Sequence, residues 1–167
     1  MELEELKSLI KEAFKDVEYP GDNNIAGCSR SLTPIGCDDC DVLAAHFKGT
    51  TWQEHTPESL IGCDDAPTFL YSEALHYYLP AFMLGDLDHS SGDCIPNMYD
   101  SIAWNHWPGD DTLGDNGYHQ AEAKKYINLL SIPQRRAIIE YFKYCATFEG
   151  VYEPHERTLE IIDFLQS

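Results

Sequence analysis

The chain has 167 residues, 43% of them hydrophobic and 12% aromatic, which is too apolar for a disordered protein and enough to bury a core as one domain, 1–167. Eleven basic residues stand against 29 acidic ones, a formal net charge of −18, and such a field repels nucleic acid. No stretch approaches the ~20 apolar residues that a membrane span needs.

The N-terminus is Glu-rich, with neither a basic n-region nor an apolar h-region, so a cytoplasmic location is expected. The six cysteines are then expected as thiols.

Residues 2–17 predict an amphipathic helix with Leu3, Leu6, Leu9, Ile10, Phe14 and Val17 on one face. Tyr19-Pro20-Gly21-Asp22-Asn23-Asn24-Ile25 predicts a turn, because Pro-Gly and Asx residues favour one. A Gly- and Pro-containing loop runs on to Gly36. Asp38 or Asp39 is expected to cap a short helix through Val42, Leu43, Phe47 and Lys48, with Gly49 as its stop. Trp52 is placed at the core edge. Thr56-Pro57 reads as an N-cap followed by proline at the first helical position, and Cys63 to Pro67 reads as a loop.

Ser72 to Asp88 is the most apolar and aromatic run and predicts the central helix, capped by Ser72. Leu75, Leu79, Phe82 and Met83 recur at helical spacing, and Tyr77, Tyr78 and Leu84 widen the apolar surface, so burial on most sides follows. Pro80 inside it costs ~3 kcal/mol or more and predicts a kink. Beyond it, a helix from Pro96 and a loop from Gly109 to Tyr118 are expected. A helix over His119–Leu130, a Ser131-capped helix to Thr147 and a last helix after Pro154 complete the chain. The fold expected is all-α, an irregular array of six to eight helices around the central helix at about 72–88.

Four ordered pieces carry a family resemblance. They are Tyr19–Ile25, the Asp39-Cys40-Asp41-Val42 run ending in Phe47-Lys48-Gly49 and Trp52, the segment Ser72–Met83, and Gln134-Arg135-Arg136-Ala137-Ile138. Over roughly residues 8 to 145 the chain resembles a bacterial family of small domains of unknown function. The resemblance implies a helical fold and a bacterial cytoplasmic origin, and no activity. Small acidic domains of this kind are similar in profile to immunity proteins that neutralise toxins.

Cys37-Asp38-Asp39-Cys40 is a C-x-x-C pair, with Cys28 before it and Cys63 after it. Four thiolates can hold zinc tetrahedrally, and His46 and His55 are alternative ligands. The spacing matches no familiar knuckle, so small buried cysteines remain an alternative. Asp86-x-Asp88-x-Ser90 begins like a calcium loop, but Ser91 and Asn97 stand where glycine and glutamate are required. Nucleophile-elbow, zincin and phosphate-loop motifs are absent. His76 reads as a hydrogen-bonded core side chain more than as a base.

The charge is segregated. From Gly49 to Ala123 there is no Lys or Arg, against 13 Asp or Glu. Such a face attracts basic proteins. The leading expectation is therefore a non-catalytic, immunity- or antitoxin-like protein that docks on a basic partner such as a toxin or nuclease. Its contacts would be Asp64, Asp65, Asp86, Asp88, Asp110, Asp111 and Asp115. The alternatives are a zinc-binding protein using Cys28, Cys37, Cys40 and Cys63, and a small metal-dependent hydrolase using His76 or Asp110 and Asp111.

Overall fold

A computed structural model describes residues 1–28, 37–63, 66–89, 125–145, 162–163 and 165–166. Among them the fold is all-α, an irregular array with a proline-containing helix at its centre. The expectations for Pro96, for the Gly109–Tyr118 loop and for the starts of the helices at His119 and after Pro154 lie outside these residues. So do Asp64, Asp65, Asp110, Asp111 and Asp115.

Helix α1 (Leu3–Phe14) buries Leu6, Ile10 and Phe14 on one stripe, as the periodicity predicts. The turn after it closes through Asn24 N–H donating to the Gly21 carbonyl at 3.0 Å. The Tyr19 hydroxyl donates to Asp22 Oδ1 at 2.8 Å and accepts from Gly49 N–H at 2.7 Å. That tie fixes the turn to the far end of helix α2 (Asp38–Phe47). Gly49 ends that stretch at φ 73°, a left-handed conformation that glycine adopts without strain.

A single 3-10 turn at Trp52–Glu54 and the helix α3 (Pro57–Leu60) follow, with Thr56 capping α3 and proline at its first position. Helix α4 (Ala66–Phe69) occupies part of what the sequence presents as a loop. A four-residue helix leaves too short a pattern for any periodicity to announce.

Helix α5 (Ser72–His89) passes through Pro80 as one element. Leu75, Tyr78, Leu79, Phe82 and Met83 are all essentially inaccessible. Burial at roughly 1.5–3 kcal/mol per large side chain outweighs the cost of the proline. Ser72 is the first residue of this helix, one position past the N-cap place. The preceding Tyr71 carbonyl takes the first helical bond, from Leu75 N–H at 2.8 Å. Tyr71 is tied to the neighbouring segment, its own N–H donating to the Ile25 carbonyl at 3.0 Å.

Residues 125–129 are helical and lead into helix α6 (Ile132–Cys145). Ser131 caps α6 as expected, and reciprocally. Gln134 N–H donates to Ser131 Oγ at 3.4 Å, and Ser131 N–H donates to Gln134 Oε1 at 2.8 Å. This is the capping-box exchange with glutamine in the third position. Helix α1 packs on both α5 and α6 around the main core, and side-chain hydrogen bonds join α5 to α6. No helix among the described residues is long and apolar enough to cross a membrane.

Two half-buried histidines make the fold acid-sensitive. Desolvation by burial holds the His55 imidazole below its ordinary 6.5, and the neighbouring His46 adds to the shift. Burial also lowers His76, against an opposing hydrogen bond to Gln134. The unfolded chain therefore takes up these protons first as pH falls below 6.5, and stability is lost with them. We expect the urea midpoint to fall steadily between about pH 7 and pH 5.5, above the range where carboxylates titrate. A flat midpoint over that interval would show both rings to be solvated.

Candidate metal centre

Three cysteines converge at one corner of the molecule. The chain reaches that corner along residues 25–28, which lie antiparallel to residues 69–71. Ala26 bridges Leu70, and Gly27 N–H donates to the Phe69 carbonyl at 2.8 Å. This short pairing delivers Cys28 beside the start of α2. Cys37 occupies the N-cap position there, and its carbonyl accepts from Asp41 N–H at 3.1 Å. Cys40 sits in the first turn. The expected caps, Asp38 and Asp39, are displaced into the first turn instead, where with Asp41 they place negative charge at the helix N-terminus.

The sulfurs of Cys28, Cys37 and Cys40 all lie within 4.8 Å of one another. The three side chains are 7%, 6% and 2% exposed and form a small cluster of their own, with Ala26 and Phe69 packed against it. All three are present as thiols. A tetrahedral zinc at about 2.3 Å from each sulfur would hold them about 3.8 Å apart. The observed spacing needs a contraction of about an ångström at most. The cluster can therefore coordinate a metal ion.

Cys63, the fourth cysteine of the sequence-based set, belongs to the main core and is not part of this group. His46 and His55 are also elsewhere. They pack against each other and on Phe47 at the opposite end of α2, with ring centroids 4.9 to 5.6 Å apart. Six residues separate Cys40 from His46, about 9 Å along the helix axis. His55 is held there by Thr50, whose Oγ1 lies 2.9 Å from its Nε2.

Gly27 gives the corner its close approach. A Cβ on residue 27 would fall 2.0 Å from the Tyr71 hydroxyl oxygen, so the strand and Tyr71 could not both keep their places. The sequence gives no sign of this contact, because residue 71 is distant in the chain. We expect Gly27→Ala to push residues 26–28 off residues 69–71 and to weaken metal binding about tenfold or more. Metal titration of that variant checks it, and an unchanged affinity would mean that Tyr71 simply swings away.

The proposed docking carboxylates fare differently. Asp86 is only 6% exposed. Its Oδ2 accepts from the Tyr141 hydroxyl at 2.7 Å, and the Cys145 thiol approaches it at 3.9 Å. It faces the α5–α6 interface and presents nothing to a partner, because Tyr141 offers a donor where water is excluded. Asp88 stays at the surface and pairs with Lys7 at 2.5 Å. Burial and the adjacent Asp86 push the Cys145 thiol up to about 12, so it is an inert core sulfur.

His76 has a partner inside the fold. Its Nε2 lies 3.0 Å from Gln134 Oε1, the same oxygen that takes Ser131 N–H, and so it donates there. That nitrogen has no lone pair left to act as a base.

A family model matches residues 2–163. The chain belongs to that family, a family of unknown function (DUF6714). The match agrees with the resemblance drawn from the sequence motifs at the level of a family without an assigned activity. No curated protein and no solved structure matches this DUF6714 chain. What it does must therefore be argued from its own residues.

Proposed function

We propose that the protein binds a thiophilic metal ion, with zinc the most available, through Cys28, Cys37 and Cys40. The observation that carries this reading is three buried sulfurs within 4.8 Å at a corner where, among the described residues, only Ala26 and Phe69 pack against them. Three thiols buried purely as small apolar groups are the alternative, but such cysteines have no reason to group away from the main core. The ion would tie residues 25–28 to the first turn of α2, a structural role. Protein purified without chelator should carry about one equivalent of zinc or a comparable ion, and Cys40→Ser should carry none. Less than about 0.2 equivalents, with no uptake on titration, would overturn the reading.

A second reading rests on the segregated charge. We also propose that this bacterial, cytoplasmic protein docks on a basic protein, in the manner of an immunity protein or antitoxin. The absence of Lys and Arg from Gly49 to Ala123 supports it. Several carboxylates of that stretch have duties inside the fold. Glu73 pairs with Lys125 at 2.7 Å, and Glu54 takes Thr51 N–H at 2.5 Å. Asp64, Asp65, Asp110, Asp111 and Asp115 are left as the contacts to test. Capture of one basic protein at low salt, released by moderate salt, would bear it out. Capture indifferent to salt would count against it.

A further inference from the structure

Resting on the metal-site reading, the corner also selects among ions by ligand number and by charge. Among the described residues only three ligands meet there. Among the described residues no carboxylate or imidazole joins the three sulfurs, although Asp38, Asp39 and Asp41 are adjacent in sequence. Residues 29–36, between Cys28 and Cys37, read Ser-Arg-Ser-Leu-Thr-Pro-Ile-Gly and contain no Cys, His, Asp or Glu. Cys63 is committed to the main core, and His46 to the far end of α2.

The charge argument points the same way. All three cysteines are buried. Cys37 Sγ accepts no capping hydrogen bond from the N–H groups of α2. Among the described residues, Lys48, just past α2, is turned to Asp22 at 3.8 Å; Arg30, two residues past Cys28, lies outside them. A monovalent ion on three thiolates leaves two negative charges, and a divalent ion leaves one. Holding uncompensated charge away from water is costly. A trivalent centre on three thiolates is neutral.

We propose that this pocket takes trivalent arsenic, supplied as arsenous acid, and holds it in preference to zinc. The exchange is balanced and involves no change of oxidation state. Three As–O bonds of As(OH)3 break and three As–S bonds form, to Cys28, Cys37 and Cys40. Each thiol proton leaves with one hydroxide as water. The arsenic lone pair fills the fourth direction, so no fourth protein ligand is needed. Zinc, by contrast, would have to complete its tetrahedron with water or with a further ligand brought to this buried corner.

The test uses the full chain, reduced and zinc-loaded, challenged with sodium arsenite and read by native mass spectrometry and arsenic X-ray absorption. The expected result is loss of zinc and gain of one arsenic less three protons, with three sulfurs and no oxygen around arsenic. Cys28→Ser, Cys37→Ser and Cys40→Ser should each weaken arsenite binding about tenfold or more, and Cys63→Ser should leave it within about twofold. Helix content by circular dichroism guards against misfolded variants, and the wild-type absorption spectrum decides the point without them. Arsenic bound by two sulfurs and an oxygen would overturn the proposal, as would equal losses in Cys63→Ser. Zinc held firmly against arsenite would sink the arsenic proposal and leave the metal site standing. Uptake of neither ion would sink both.

Discussion

Asp86→Ala lowers the unfolding free energy by about 3 kcal/mol, more than the Tyr141 hydrogen bond alone is worth. The substitution removes the acceptor and leaves the Tyr141 hydroxyl buried at the α5–α6 interface. An unpaired buried donor costs its full desolvation, and the lost carboxylate leaves a void beside it. Tyr141→Phe removes the donor and should cost about 2 kcal/mol, because hydrogen bonds to charged groups are the stronger ones. The double variant should cost less than the two singles together, since each single leaves the other group stranded. Urea unfolding of the three variants measures the coupling. Strict additivity would mean that the pair is separately solvated.

Zinc at about a thousandfold excess over its dissociation constant should raise the unfolding free energy by about 4 kcal/mol, and Cys40→Ser should abolish that gain. The effect should be local as well as global. The three cysteines stand apart from the main core, so amides at residues 26–28 and in the first turn of α2 should gain the most exchange protection on metal binding. Those of α6, packed in the main core, should gain only the global share. Uniform protection across the chain would place the ion elsewhere.

Helix boundaries were legible wherever one residue type does one job nearby. Thr56-Pro57 and Ser131-x-x-Gln134 announce helix starts because both partners of the cap lie within four residues. The apolar periods of α1 and α5 are visible for the same reason. Ser72 and Asp38 look like N-cap residues and stand one position inside their helices, because a distant backbone decides the case. Tyr71 is pinned by Ile25, and Cys37 arrives beside Cys28. At the site, Cys28, Cys37 and Cys40 could be nominated from residue type. That Cys63 parts from them depends on the path of the chain past α3 and α4, which no local pattern encodes. Asp86 misled for a related reason. A carboxylate in a stretch without positive charge reads as surface, and the partner that draws it inward is a tyrosine 55 positions later.

The packing of α1 against α6 has a consequence for biosynthesis. Leu6, Ile10 and Phe14 are covered in part by a helix that begins at Ile132. A ribosome adding 5–20 residues per second needs on the order of ten seconds to make the chain between them. During that interval the first helix has emerged and its final cover has not been made. The apolar stripe of the nascent chain is then a natural binding site for a holdase, and completion of the fold must wait until the last helices clear the exit tunnel.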